Sequence, residues 1–159
     1  MSSQLHVPSV AVLPPKEIAE LIDNSPDPDR VLRYVTEFSS RHPERWNEVV
    51  EDAERCRWLI TIFGFSHFLS EELLRHPEWI SSINDFQRPL GLTEYNSRLD
   101  AFFEERGVGA PTAGELALFR RKELLRIVLR DALMPGALAE IVEELFTYII
   151  FRIESLLLL

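Results

Sequence analysis

The sequence predicts an all-α fold, a bundle of about six to seven helices with a long central helix near residues 112–133, and three observations support it. Apolar residues recur at three- and four-residue steps, no stretch sustains two-residue alternation, and proline or glycine punctuates the stripes where helices would start or stop. The chain has 159 residues, 46% of them hydrophobic, which is enough material for one buried core.

The elements follow in order. Residues 1–13, with Pro8 and no helical stripe, are expected to form an irregular arm ahead of a helical domain over 14–159. Pro14 and Pro15 end that arm, and Ile18, Leu21 and Ile22 give Lys16–Asn24 one apolar side. Asp27-Pro28 is a second start signal, because proline suits a first turn whose N–H has no intrahelical partner. Val31, Leu32, Val35 and Phe38 carry that helix to about Arg41. Pro43 opens a long, bent helix through Trp46, Val49, Val50, Ala53, Trp58 and Ile62, with Gly64 as its left-handed cap. Ser66 or one of its neighbours opens the next helix, over Phe68–Arg75, and Pro77 begins a short turn through Trp79 and Ile83. Asn84–Leu92 reads as loop, and Thr93 as the cap of a helix reaching Arg106. After the break at Gly107, Gly109 and Pro111, Thr112 and Glu115 have capping-box spacing for a helix to about Leu133.

The last stretch, Ala137–Leu159, is apolar enough to resemble a membrane span. Glu140, Glu143, Glu144, Arg152 and Glu154 interrupt it at a density costly in a bilayer. Leu138, Ile141, Val142, Leu145, Ile149 and Ile153 recur at helical steps, so a buried helix is expected and no membrane contact. The terminal Leu156, Leu157, Leu158 and Leu159 cover every side of one turn, which a lone bundle cannot bury, and self-association through them is expected.

Charge and cysteine content exclude further classes. A net charge of −9 argues against nucleic-acid binding, which depends on a surplus of Lys and Arg. Cys56 is the single cysteine, so no internal disulfide can form, and no secretory leader precedes the arm, which makes a cytoplasmic location the expectation.

Candidate chemistry reduces to structural roles at most positions. Asp27 and Asp29 have the two-residue spacing of paired metal-binding carboxylates, but prolines surround them and they introduce a helix, so Asp27 is expected to cap it. His6, His42, His67 and His76 lack metal-ligand spacing, and His42 and His76 precede prolines near helix ends, where an imidazole can meet carbonyls. Those two lie in a repeated Arg-His-Pro-Glu, at 41–44 and 75–78, which is 34 residues apart but has no third copy. A helix end followed by a proline start explains it without a solenoid. Cys56 sits between Arg55 and Arg57 among apolar residues with no nucleophile–base pattern, and reads as a core or interface residue. No catalytic, cofactor-binding or metal residue is assigned.

The densest information lies in Phe119-Arg-Arg-Lys-Glu-Leu-Leu-Arg-Ile-Val-Leu-Arg-Asp131. On a helical wheel Leu116, Phe119, Ile127 and Met134 share a sector with Glu123, Arg126 and Arg130, while Leu118, Leu125 and Leu129 line the other side. A helix apolar on two sides belongs at a bundle's centre. Glu123, Arg126 and Arg130 are therefore expected to form a structural ion network: Glu123 meets Arg126 one turn on, and Arg130 needs an acid from another helix, a solvent-facing tip or a partner domain.

That run is similar to the Phe-Arg-Arg-x-Glu-Leu-Leu-Arg-Ile-x-x-Arg-Asp run of bacterial glutamine synthetase adenylyltransferases. Ile62-Phe-Gly-Phe-Ser-His-Phe-Leu69, with Arg75-His-Pro-Glu-Trp79 after it, resembles the segment those proteins place upstream. Together the motifs span roughly residues 58–133. The resemblance implies the N-terminal helical segment of a multidomain, bifunctional enzyme that attaches AMP to glutamine synthetase and removes it by phosphorolysis, controlling nitrogen assimilation. With the opening methionine, it places this segment at the front of the AMP-removing half.

The resemblance also implies a downstream nucleotidyltransferase domain as partner, glutamine synthetase as the target, and ATP and Mg²⁺ as cofactors of the intact enzyme. The nucleotidyltransferase domain whose Gly-Ser turn and Asp-x-Asp pair would bind them is absent from this chain, which is expected to be inactive alone. Leu145-Phe-Thr-Tyr-Ile-Ile150 departs from the Leu-Ser-x-Leu-Ala-Asp-like stretch of relatives, marking a divergent member. The alternative is a self-standing helical protein-interaction module without enzymatic activity.

Overall fold

In a computed structural model, which describes residues 15–83, 86–107, 112–134 and 140–148, every regular element is helical. The helices are α1 (Pro15–Asp23), α2 (Pro28–Arg41), α3 (Pro43–Val50), α4 (Ala53–Phe65), α5 (His67–Arg75), α6 (Trp79–Ser82), α7 (Leu92–Arg106), α8 (Ala113–Leu133) and α9 (140–148). The chain groups into two compact units, Met1–Ser81 and Ser82–Leu159, where the sequence suggested one helical domain.

In the first unit α4 packs against α1, α2, α3 and α5. Asp27 caps α2, its side chain accepting from the Arg30 N–H at 3.1 Å, and Ser66 caps α5 by accepting from Leu69 N–H at 3.3 Å. Val31, Tyr34, Phe38, Leu59, Phe63 and Leu73 are buried where these helices meet. Leu32, placed on the α2 stripe by its spacing, is instead exposed.

Two expectations fail in this unit. The long helix expected from Pro43 is two helices, because Asp52 turns extended and its carboxylate accepts from the N–H groups of Glu54 and Arg55, starting α4 afresh. Gly64 is not a left-handed cap. It lies inside α4, buried, where an added Cβ would come within 3.1 Å of Pro26 Cδ and 3.5 Å of Val31. The glycine permits close packing of α4 on the turn before α2.

The repeated Arg-His-Pro-Glu marks two equivalent helix ends. His42 (φ −132°, ψ 60°) closes α2 and His76 (φ −129°, ψ 65°) closes α5, each donating its N–H to the carbonyl four residues back at 2.8 Å. The proline that follows each histidine disfavours the helical conformation for it, so the sequence repeat reflects a repeated stop.

In the second unit α7 begins two residues earlier than the Thr93 cap would place it. Gly91 occupies the cap position, and Glu94 reaches back to accept from its N–H at 3.1 Å. Arg88 also donates to Glu94, at 2.5 Å, and these two donors hold its carboxyl down at about 2. Gly107 ends α7 with φ 62°, a left-handed conformation that glycine adopts at no steric cost. Thr112 and Glu115 form the reciprocal box that opens α8. The core joins Leu90, Tyr95, Leu99, Leu116, Phe119 and Ile127, with Tyr148 of α9 alongside.

Among the described residues no helix is long and apolar enough to cross a membrane. Within the apolar C-terminal stretch, α9 turns Ile141, Glu144 and Tyr148 inward and exposes Val142 and Phe146. Leu156–Leu159 and the arm at 1–13 lie outside the described residues, as do His6 and Arg152.

Candidate functional site

The chemically dense region of the second unit is a charged cluster on the inner side of α8. Spacing sets it up: Glu123, Arg126 and Arg130 stand three and four residues apart and project from one side of the helix. All three are buried, Arg126 at 2% and Arg130 at 0% exposure. Arg126 Nε lies 3.4 Å from Glu123, which also receives Arg98 of α7 at 2.8 Å. Arg130 does not end at solvent. Its Nη1 donates to Glu144 of α9 at 2.9 Å, and its Nη2 pairs with the exposed Glu140.

Glu144, whose side chain is fully buried, joins the parts. Its carboxylate accepts from the Leu90 N–H at 3.0 Å, the Tyr95 hydroxyl at 3.1 Å, Arg126 Nη2 and Arg130 Nη1. Arg126 further donates to the Tyr95 oxygen at 3.0 Å and to the Arg88 carbonyl at 3.2 Å. Among the described residues, three guanidinium groups (Arg98, Arg126, Arg130) thus face three carboxylates (Glu123, Glu140, Glu144).

Electrostatics follow that arrangement. Burial opposes the charge on Arg126, but the hydrogen bond to Glu144 and the nearby carboxylates outweigh it and raise its pKa. Burial pushes the Tyr95 hydroxyl well above the usual phenol range, with Arg126 working against the shift, so Tyr95 remains a neutral donor. The carboxylates of Glu123 and Glu144 are each engaged by guanidinium groups through both oxygens. The arrangement ties the 88–91 loop, α7 and α9 to α8. Tyr148 adds a further tie from α9, donating to the Arg120 carbonyl at 2.8 Å.

Sequence reasoning missed Glu144, Tyr95 and Arg98. A signal for Glu144 existed: Glu140 and Glu144 are one helical turn apart, as are Arg126 and Arg130, so two matching rungs could pair across two helices.

The remaining candidates lie elsewhere. Asp27 and Asp29 do not fit a metal ion. Asp27 Oδ1 accepts from a backbone N–H while its Oδ2 lies 3.5 Å from Arg30 Nη1, and Asp29 is exposed in the first turn of α2. His42 Nε2 lies 2.8 Å from the Leu74 carbonyl, and His76 stacks on Trp79 with ring centroids 4.4 Å apart. His67 Nδ1 meets the Tyr34 hydroxyl, which also donates to Glu71 at 2.8 Å. Burial, together with Glu71, pushes the Tyr34 phenol up to about 12. Cys56 is fully buried in the first core, and burial raises its thiol to about 11 despite Arg57.

The described residues thus form an all-helical fold in which the buried charges of α8 are paired with one another and with residues of α7 and α9. Its lineage is specific: residues 56–152 match the family model described as glutamate-ammonia ligase adenylyltransferase, and the chain belongs to that family. Two relatives are each described as a bifunctional glutamine synthetase adenylyltransferase/adenylyl-removing enzyme. The one from Shewanella loihica is 29% identical over 109 residues, 67% of this chain and 11% of the relative. The one from Shewanella woodyi is 30% identical over 102 residues, 64% of this chain and 10% of the relative. The chain thus matches about a tenth of the length of these relatives. No solved structure matches it.

Proposed function

We infer that this chain serves as the N-terminal helical scaffold segment of a bifunctional glutamine synthetase adenylyltransferase/adenylyl-removing enzyme. The observation carrying this reading is the fate of the charged residues on α8: Glu123, Arg126 and Arg130 are engaged by Arg98, Glu140 and Glu144, and they hold helices together instead of facing a substrate. Catalysis then belongs to a separate nucleotidyltransferase domain. The ATP and Mg²⁺ implied for the intact enzyme would be handled there, and no residue of this chain is assigned to them.

A chimera tests the scaffold role. In the full-length Shewanella loihica relative, the segment matching residues 56–152 is exchanged for residues 56–152 of this chain, and AMP attachment to glutamine synthetase and its removal are both measured. Both activities should persist in the folded chimera. A folded, stable chimera that has lost one of them would show that this segment contributes specific chemistry and would overturn the reading.

The second reading, a helical protein-interaction module, draws on one observation. Val142 and Phe146 stand one turn apart on α9 with 42% and 63% of their surfaces exposed. Discrimination comes from stoichiometry: a defined complex of the isolated chain that is lost in Phe146→Glu, with helicity retained, favours the module.

A further inference from the structure

In the first unit, Tyr34 of α2 is buried, and two groups of α5 one helical turn apart meet its hydroxyl. They are His67 Nδ1 and Glu71 Oε1, the latter at 2.8 Å. The motif that holds His67 is otherwise accounted for by packing and capping: Ile62, Phe63 and Leu69 enter the core, and Ser66 caps α5. His67 is exposed and does neither, while Glu71 is half-buried beside it. Among the described residues nothing bonds to His67 Nε2.

Counting hydrogens fixes the state of that ring. A phenol has one hydrogen, and here two acceptors stand in reach of it. Were the hydrogen given to His67, the phenol oxygen and a carboxylate oxygen would face each other at 2.8 Å with no proton between them. A charged acceptor also makes the stronger bond, so the hydrogen goes to Glu71. Burial and Glu71 push the phenol up to about 12, so the hydroxyl keeps this hydrogen near neutral pH. Arg33, with its guanidinium 5.1 Å from the Tyr34 ring centroid, only donates and offers no third acceptor. The contact between Tyr34 and His67 therefore needs a hydrogen of its own, which Nδ1 supplies.

We propose that Glu71, acting through Tyr34, is a positioning residue that locks the neutral ring of His67 in its Nδ1–H tautomer. The lone pair is then on the exposed side at Nε2, and His67 is a surface base that accepts a proton or an acyl carbon there. A hydrogen bond made by one ring nitrogen sets the role of the other, the device by which proteins prepare an imidazole for bases and ligands. A proton taken up at Nε2 breaks no bond of the chain, because Nδ1 already donates. His42 is the internal contrast. Its Nε2 lies 2.8 Å from the Leu74 carbonyl, which can only accept, so His42 carries its hydrogen on Nε2.

Nitrogen-15 NMR of the full chain at about pH 8.5, above the ordinary imidazole range, reports which nitrogen of each ring carries the hydrogen. His67, assigned by its loss in His67→Gln, should show a protonated Nδ1 and a bare Nε2, and His42 the reverse. In Glu71→Gln the amide can donate to the phenol, which frees the Tyr34 hydrogen for Nδ1, and His67 should shift to the Nε2–H form while His42 is unchanged. Diethyl pyrocarbonate is the acylating probe: its carbonyl carbon bonds to the Nε2 lone pair as an ethyl carbonate group leaves. It should modify His67 about threefold to tenfold more slowly in Glu71→Gln, the range that one hydrogen bond is worth. The tautomer of the native chain is read without any variant, so the test survives even if Glu71→Gln unfolds. A native His67 in the Nε2–H form, or a tautomer and acylation rate unchanged in folded Glu71→Gln, would overturn the proposal.

Discussion

Replacing Glu144 with alanine should damage the second unit more than any exposed substitution. Four donors lose one acceptor in a single step: the Leu90 N–H, the Tyr95 hydroxyl, Arg126 and Arg130. Arg126 retains Glu123 at 3.4 Å and Arg130 retains Glu140, so neither guanidinium is stranded completely. Three guanidiniums would nevertheless face two carboxylates, and breaking one partner out of a buried ion pair costs about 3–5 kcal/mol. The buried Leu90 N–H, left without a partner, adds a desolvation cost of about 1–3 kcal/mol wherever water cannot reach it.

Against a typical stability of about 5–15 kcal/mol, that loss is large. Urea titration followed by far-UV circular dichroism should show the midpoint falling by about 1 M or more, since the urea dependence of stability is about 1–3 kcal/mol per M for small proteins. Glu144→Gln keeps the shape and one acceptor oxygen and should fall between wild type and alanine. Lys16→Ala is the control, because the Lys16–Glu20 pair is exposed and 3.7 Å apart, and exposed pairs contribute about 0–1 kcal/mol. If Glu144→Ala shifts the midpoint no more than Lys16→Ala, the network does not hold α9 and the reasoning is refuted.

Three further outcomes are expected. With its thiol raised to about 11 and fully buried, Cys56 should resist a thiol reagent at neutral pH in the native protein and react at once in denaturant; fast labelling of the native chain would contradict its place in the core. Glu94 is held down at about 2 from 4.5, so its stabilising contribution is present above pH 4.5 and is lost as pH falls toward about 2. Carboxyl NMR should find that midpoint, and the stability gap between wild type and Glu94→Gln should close over the same window. Removing Leu156–Leu159 should weaken self-association in sedimentation while helicity persists, and a full chain that stays monomeric at high concentration would exclude an interface there.

Much of the fold was legible because local chemistry sets it. Asp27 before Pro28, Ser66, and the Thr112–Glu115 box each act through a hydrogen bond spanning three residues, a distance that sequence spacing reveals directly. The misread positions depend on contacts with distant residues. Gly64 looked like a terminus, but what requires glycine there is Pro26, which no local pattern connects to it. Asp52 interrupts a stripe that remains apolar on both sides, so periodicity alone runs through the break. Thr93 lost to Gly91 because Glu94, held also by Arg88, fixes the earlier start. The site was half legible for the same reason: Glu123 and Arg126 share a helix, whereas Glu144 lies 18 residues from Arg126 and Arg98 lies 25 from Glu123.

The most direct test of the scaffold reading is an activity measurement on the purified chain. It is supplied with adenylylated glutamine synthetase, phosphate and Mg²⁺ to assay AMP removal, and with unmodified glutamine synthetase, ATP and Mg²⁺ to assay attachment. Phosphoryl-type chemistry of this kind depends on metal-bound carboxylates, and the Asp27–Asp29 pair is committed to opening α2. No turnover is expected in either direction. Reproducible turnover that a substitution within this chain abolishes would contradict the scaffold reading.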